Sequence, residues 1–477
     1  MSVKRVSIQA SPPGMVSSFV PFETESDDGT GLGSATLRRV DLWILPILGN
    51  LYTVSVIDRS NLGFARVAGM SHDLNLSAGS RNIVILCAFF IPFILLSLPS
   101  NIFLRKLGTP NWLAFCVVSW GLVQLGMAFV TSWGTLAFCR LLLGAFEAGF
   151  LPGALFIITT WYTRHEVQQR IAVFYATSLV LGGFSAILEY LFTLLGGRYG
   201  IAGWRWIFIV EGALTVGLGL VSWHFVPDFP DQNKFLSTSE TEAILSRVEK
   251  DRGDSLPDEF TTQKVLNHLS DWKIWAFGLM SFCAAIPTYA IGYFISNIEL
   301  GMGWSKTAAL LLCAPPYIFA AFTVLVFAWF SDRYQQRALT IAIGTAVAVA
   351  GLFFTGFAAH QGLKYAGIFL INAGSSGCIP GILAYSANNV LSHTKRGVTM
   401  ALVVSFGGLG GLLATIVFRQ VDAPRYLPGI YFTLACQALL LLLLGVMTIH
   451  FKERNIQAQQ CPRAVPNEGR HGFWFTL

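Results

Sequence analysis

Charge is what this sequence has least of. Asp, Glu, Lys and Arg make up 12% of its 477 residues, about half the roughly 25% usual in soluble domains. With 54% hydrophobic residues and a mean hydropathy of +0.58, the chain has too little polar surface for a water-soluble globule. Histidine is scarce as well: the eight (72, 165, 224, 268, 360, 393, 450 and 471) fall mostly in loops and at the ends of apolar runs. No HExxH, His-rich box or nucleophile elbow occurs, which excludes an intramembrane enzyme and leaves no catalytic candidate. Of eight cysteines, seven (87, 116, 139, 283, 313, 378 and 436) sit inside apolar stretches, and Cys461 lies beyond them. None has metal-site spacing, so they read as reduced packing residues that imply neither a metal nor a cofactor. The first 36 residues also lack an apolar core. No cleavable signal peptide is expected there; residues 1–40 read as a disordered cytoplasmic tail, and the first membrane helix as the targeting signal.

What the chain does hold is apolar runs long enough to span a bilayer, about 20 residues each. A hydropathy walk predicts twelve, near 41–65, 82–104, 112–131, 136–161, 171–195, 204–226, 274–297, 307–330, 338–358, 365–391, 398–418 and 429–450. The expected fold is all-α and polytopic, with twelve transmembrane helices in two pseudo-symmetric six-helix bundles over 41–226 and 274–451. Residues 227–273 form the one long polar interval. They read as a cytoplasmic linker in which Ser239 or Thr238 N-caps an amphipathic helix that Gly253 ends. Residues 452–477 read as a cytoplasmic tail. The net charge of +6 comes from Lys and Arg dispersed between apolar runs, so the expected partner is a lipid bilayer and not nucleic acid. The basic loops "LRKLG", "TRHEVQQR", "DRYQQR" and "HTKR" put both termini inside by the positive-inside rule. Asn75, in the sequon Asn75-Leu76-Ser77, then falls in the first outer loop as a glycosylation candidate.

One pattern occurs twice. "RLLLGAFEAGFLPGALFIITTWY" (140–162) and "INAGSSGCIPGILAYSANN" (371–389) align at an offset of 228, which pairs Gly149 with Gly377, Pro152 with Pro380, Gly153 with Gly381 and Leu155 with Leu383. These are the fourth and tenth spans, six apart, as parallel repeats of two homologous halves require; Pro/Gly-interrupted helices at matching positions point to a central site. Pro152-Gly153 and Pro380-Gly381 are expected to share one flexible point.

With "FSDRYQQR" between spans eight and nine, the chain resembles the major facilitator superfamily. "YTVSVIDRSNLGFARVAGMSHDLNLS", "LLLGAFEAGFLPG", "WYTRHE…R", "GWRWIFIVEG" and "ANNVLSHTKRGV" narrow the resemblance to its anion:cation symporter branch, and in pattern to fungal allantoate and nicotinate permeases. It extends over about residues 38–455. The resemblance implies alternating access around a central cavity and proton-coupled symport of a small organic anion of monocarboxylate, vitamin or ureide type. A plasma-membrane monomer is expected. An exporter of a secondary metabolite or drug, and a non-transporting nutrient sensor, stay open; the Gly-Pro pair of span five in proton-coupled drug exporters is replaced here by Gly182-Gly183.

Charges inside membrane spans are expensive and mark function. The candidates, Asp58, Arg59, Arg140, Glu147, Glu189, Arg205 and Glu211, all lie in the first half. Tyr52, Ser55 and Arg59 share a face of span one, and an arginine there holds a carboxylate through a two-pronged contact. Arg59 is the anion contact the resemblance implies; it is also placed to pair with Glu147 or Asp58. Asp58, about 100° round the helix, is expected in a structural salt bridge. Arg140 and Glu147 are seven apart on one face of span four. At 1.5 Å per residue Glu147 lies about 15 Å deep, where burial and a nearby arginine pull its proton affinity in opposite directions. Glu147 is therefore the proton-coupling candidate, with Glu189 second and a locked ion pair to span one as the alternative. Arg205 and Glu211 read as structural. The second half offers Tyr289, Tyr293 and Asn297 on span seven and Asn372, Ser375, Ser376, Asn388 and Asn389 on span ten. Tyr52, Tyr289, Tyr293, Asn372 and Ser375 join Arg59 as substrate contacts. Asp332, Arg333 and Arg337 of "SDRYQQR" are expected to pair across helices and close the inside, as the resembled loop does. The equivalent loop in the first half has Arg105 where an acid is expected. Ser97 stands where the resembled branch carries a glutamate; if that glutamate helps couple protons, coupling here is weakened, moved to Glu147 or Glu189, or absent.

Overall fold

The structure, a computed structural model, describes residues 32–76, 78–164, 166–252, 261–419, 422, 425–460, 467–468 and 473–477. Most of the expected N-terminal tail, and Gly253 and Cys461, lie outside them. The described residues form two pseudo-symmetric six-helix bundles. The first runs α1 (Leu32–Ala65), a π-helical turn at Arg66–Met70, α2 (Ser71–Asp73), α3 (Arg81–Leu107), α4 (Thr109–Met127), α5 (Trp133–Glu147), α6 (Phe150–Trp161), α7 (Val167–Gly183), α8 (Ser185–Thr193) and α9 (Gly203–Phe225). Between the halves lie α10 (Thr238–Arg252) and α11 (Thr262–Leu269). The second half runs α12 (Trp272–Gly301), α13 (Lys306–Leu312), α14 (Ala314–Tyr334), α15 (Arg337–Phe357), α16 (Gln361–Asn388), α17 (His393–Val417) and α18 (Leu427–Gln460). Eleven helices or helix pairs among the described residues are long and apolar enough to cross a membrane. Helix α4 is the twelfth by packing. It lies against α9 along its length, although Asn111 and Gln124 dilute its hydropathy.

Membrane helices gain little from the hydrophobic effect against one another and rely on close packing through small residues. A Cβ on Gly144 would lie 2.0 Å from the Phe89 carbonyl oxygen, so α5 touches the backbone of α3 there. Gly374 plays the same part in the second half, 2.4 Å from the Gly344 oxygen and 2.6 Å from the Ala348 nitrogen. Large apolar side chains such as Leu42, Ile91, Phe115, Leu214, Phe322 and Leu442 are exposed around the outside, as a lipid-facing belt requires.

Two expectations about local structure change. Helix α10 is capped by Ser237, not by Ser239 or Thr238: the Ser237 Oγ accepts from the Glu240 N–H (3.3 Å), and Glu240 Oε2 accepts from the Ser237 N–H (2.8 Å). This reciprocal box needs an acid three residues after the cap; Thr238 has none, and Ser239, although followed by Glu242, pairs its hydroxyl with that of Ser237 (3.2 Å). The two Pro-Gly stretches also differ. The fourth span interrupts its helical bonding at Ala148–Gly149, between α5 and α6 and one turn before Pro152, while both residues keep right-handed helical dihedrals (φ −55°, ψ −29° and φ −84°, ψ −20°). Pro380 sits inside the unbroken α16.

The halves meet along α7–α14 and α3–α17. At the end carrying the loops 161–167 and 333–337, called here the basic end, Arg396 donates to the Thr159 carbonyl (3.1 Å) and Asn101 to the Gly397 carbonyl (2.9 Å).

Candidate functional site

Midway along the bundles, α1 and α5 bring their charges together. The Arg59 Nε and Nη2 lie 2.7 Å and 2.6 Å from Glu147 Oε1, and Ser55 donates to the same oxygen. Arg59 Nη2 also donates to Ser55 Oγ (3.2 Å) and Nη1 to the Tyr289 hydroxyl (2.9 Å). The guanidinium lies over the rings of Phe93 (4.9 Å) and Phe89 (5.4 Å), which fix its plane. Glu147 is 0% exposed, and its Oε2 has no hydrogen-bond partner among the described residues. Arg59 thus joins three helices, two from the first half and α12 from the second.

A cavity of about 150 Å³ opens on this group, bounded by Tyr52, Arg59, Tyr175, Tyr289, Tyr293 and Ser376 among others. Tyr52 stacks on Phe174 (4.7 Å) and meets Tyr175 edge-on (5.0 Å); Tyr289 and Tyr293 stack at 6.0 Å. One arginine, several phenol rings and a serine hydroxyl line this small space. The same space borders Gly182 and Gly183, where α7 ends, and a Cβ on Gly183 would lie 3.0 Å from the Tyr317 Cβ.

Four of the six expected substrate contacts (Arg59, Tyr52, Tyr289 and Tyr293) border the cavity. Asn372 and Ser375 do not. Ser375 donates to its own helix at the Ile371 carbonyl (2.7 Å), and Asn372 Oδ1 accepts from Ser376 (3.2 Å). The side chain of Asn297 lies outside the described residues. Among the described residues Asp58 is in no salt bridge: its carboxylate accepts from Trp120 Nε1 and Thr215 Oγ1, both at 3.1 Å. Arg140 reaches the Asp58 carbonyl (3.4 Å) and Asn61 Oδ1 (3.3 Å), and Asn61 donates on to Glu211 (2.7 Å). The Arg140–Glu147 face is therefore divided, with Glu147 serving Arg59 and Arg140 serving the α1 backbone. Glu189 is fully buried and borders no part of the cavity; neither of its oxygens is hydrogen-bonded among the described residues. Arg205 donates to the Val130 carbonyl (3.0 Å), a structural tie. Ser97 donates to the Phe93 carbonyl (2.6 Å) and contributes no charge.

At the basic end Arg337 pairs with Asp332 and also donates to Gln168 of the first half and to the Arg164 carbonyl (3.4 Å). Arg333 is exposed and takes no part. Asn75 is exposed in a left-handed turn after α2 (φ 51°); Ser77 of its sequon lies outside the described residues.

Sequence reasoning missed Glu299, Gln168 and Asn61. Glu299 is 0% exposed and accepts from Cys313 Sγ (3.3 Å), so intramembrane acids are not confined to the first half. Its signal was the apolar character of "ISNIELG", which extends α12 beyond residue 297. Asn61 and Gln168 carry no charge, and no hydropathy signal singles them out.

The family model of the Major Facilitator Superfamily matches residues 48–415. The chain is 31% identical over 446 residues to the major facilitator-type transporter hxnP of Emericella nidulans, with 91% of this chain and 89% of that protein covered. It is 28% identical over 457 residues to the high-affinity nicotinic acid transporter of Saccharomyces cerevisiae, covering 91% and 81%. Over 416 residues it is 32% identical to the MFS-type transporter cnsO of Penicillium expansum, covering 84% and 80%. Among solved structures it superposes on the proton:xylose symporter XylE, bound to 6-bromo-6-deoxy-D-glucose, with a TM-score of 0.68 at 14% identity over 88% of this chain and 96% of that one.

Proposed function

The chain belongs to the major facilitator superfamily of membrane transporters, and from that premise we propose that it is a proton-coupled symporter of a small organic anion. The observation that carries this reading is the buried pair of the cavity-lining Arg59 with Glu147 behind it, 2.6 Å apart. A buried cation needs a counter-charge, and removing one partner of a buried pair is strongly destabilising, by about 3–5 kcal/mol. Two anions compete for that position. Either ionised Glu147 holds Arg59, or a substrate carboxylate does while Glu147 carries a proton. Proton and anion then bind together, and the loaded site is as neutral as the empty one. Electroneutral co-binding of one proton with one monocarboxylate is the coupling rule this arrangement yields.

The phenol rings of Tyr52, Tyr175, Tyr289 and Tyr293 favour an aromatic or planar anion, and their hydroxyls supply hydrogen bonds. A relative that transports nicotinic acid has a substrate of that chemistry, a planar ring carrying one carboxylate. The expected setting is the plasma membrane, as a monomer, with the basic end and both termini in the cytoplasm; the basic loops support that orientation. The test is uptake of labelled small carboxylates, nicotinate, benzoate and allantoate among them, at two external pH values in cells expressing the chain. Faster uptake of at least one at the lower pH is expected. Uptake of none at either pH, by protein at the cell surface, would remove the reading.

A further inference from the structure

The segment 467–477 begins in neither bundle, yet its described residues are built into the basic end. Phe473 and Phe475 are 4% and 5% exposed, a burial normally reserved for core positions. Phe475 stacks on Phe451 of α18 at 4.5 Å, and its N–H and carbonyl are both held by the Asn455 side chain at 2.9 Å. Asn389, at the end of α16, accepts from the Thr476 N–H (2.8 Å) and donates to the Thr476 carbonyl (3.3 Å). The Arg337 N–H donates to the Leu477 carbonyl (2.6 Å). Glu468 meets Lys395 of α17 (2.6 Å) and Lys273 of α12. Every one of these partners lies in the second half.

The first half touches the segment through Arg164, between α6 and α7. Its guanidinium stacks over the Phe473 ring (4.8 Å) and donates to the Trp474 carbonyl (3.4 Å). Arg164 is itself anchored by Asp251 of α10, whose Oδ2 accepts from the Arg164 N–H at 2.8 Å. The described residues of the segment therefore sit on the second half, with the Phe475 and Thr476 backbone groups hydrogen-bonded, and present one aromatic face to a cation of the first. For the halves to part at this end, the Arg164 contact has to break.

We propose that the mouth of the basic end is a peptide-binding surface whose occupant is this chain's own segment 467–477, and that the occupied surface latches the two halves together there. The surface is specific in two ways. Asn389 and Asn455 each clamp one backbone position by two hydrogen bonds, which fixes register. The apolar seat around Phe451 and the Arg164 face accept aromatic rings two residues apart, on the same side of an extended chain. A segment that holds the basic end closed slows each opening there, and anything that pulls it away speeds that step. The latch acts at the basic end whatever solute is carried.

The test is thiol accessibility at the seam. A Cβ on Gly397 would lie 3.6 Å from the Phe156 ring of the other half, so Gly397→Cys reports opening. Alkylation by a maleimide is measured in the purified chain carrying Gly397→Cys, and then with Phe473→Ala plus Phe475→Ala, or with 467–477 removed. The same variants without Gly397→Cys supply the background. Labelling is expected to rise at least fivefold in both variants, and a synthetic peptide of residues 467–477, added at millimolar concentration to the truncated chain, is expected to reverse the rise. Unchanged labelling on truncation would overturn the proposal. So would a rise that the peptide leaves untouched, since that is the mark of general loosening.

Discussion

Arg59 sets the chemistry at the scale of the single residue. Its two-pronged contact is geometric as well as electrostatic, and lysine keeps the charge while losing the planar fork. Each hydrogen bond to a charged group is worth about 1.5–3 kcal/mol, so Arg59→Lys is expected to lower carboxylate uptake by about 100-fold in protein that reaches the membrane normally; uptake assays with surface-expression controls read this directly. Tyr289→Phe removes only the 2.9 Å bond to Arg59 and should weaken apparent affinity by about tenfold. Ser375→Ala should leave uptake within about twofold, because that hydroxyl serves its own helix, whereas Ser376→Ala, at the cavity wall, should not. The contrast between these neighbours also shows where sequence ran out. Adjacent helical residues point about 100° apart, so choosing Ser375 over Ser376 required the rotation of α16, which packing sets and hydropathy leaves open. The face of α1 was legible because Tyr52, Ser55 and Arg59 repeat at three and four residues in an otherwise apolar run. Asp58 was misjudged for a different reason: an acid next to an arginine invites a salt bridge, but Trp120 and Thr215 arrive from α4 and α9 with neutral donors.

Elements carry a second set of consequences. Helices α3 and α5 cross at Gly144 with a carbonyl where a Cβ would go, so Gly144→Val must push the helices apart. Overpacking costs about 1–3 kcal/mol and occasionally more, and thermal unfolding of the purified protein should show a clear drop for Gly144→Val against little change for Gly134→Ala, which faces open space. Ahead of α12, Asp271 lies 2.7 Å from Lys395. Burial pushes its carboxyl upward, but the hydrogen bond from Lys395 and the charges of Lys273 and Lys395 outweigh this and hold it below the ordinary aspartate range. A depressed folded-state value stabilises above the unfolded value and is lost as pH falls through the folded one. Asp271→Asn should therefore lower the melting temperature at pH 7 and have progressively less effect as the pH is brought below the ordinary aspartate range. Eleven of the spans among the described residues stand out by apolar length alone, and α4 is secured by its packing on α9. The interruption before Pro152 and the continuity through Pro380 were not legible, because two Pro-Gly pairs look alike in sequence.

For the whole molecule, the two halves do not contribute alike. The first brings Arg59 to the cavity, with Glu147 bonded behind it; the second brings Tyr289, Tyr293, Ser376 and Cys313, and its own buried acid, Glu299, is bonded behind Cys313. Under the proposed coupling, the first half handles the ions through Arg59 and Glu147. Arg337 is one of the contacts between the halves at the basic end, reaching from α15 to Gln168 and the Arg164 carbonyl, so Arg337→Gln should raise seam accessibility there without altering substrate preference. The central claim is that Glu147 and the transported anion alternate as the counter-charge of Arg59. The measurement that tests it is uptake and counterflow in proteoliposomes, with and without an inward proton gradient, for the parent chain and Glu147→Gln. With its carboxyl replaced by an amide, the variant is expected to keep counterflow of the labelled anion and to lose the acceleration that the gradient gives the parent. An acceleration of the same size in Glu147→Gln would contradict the account.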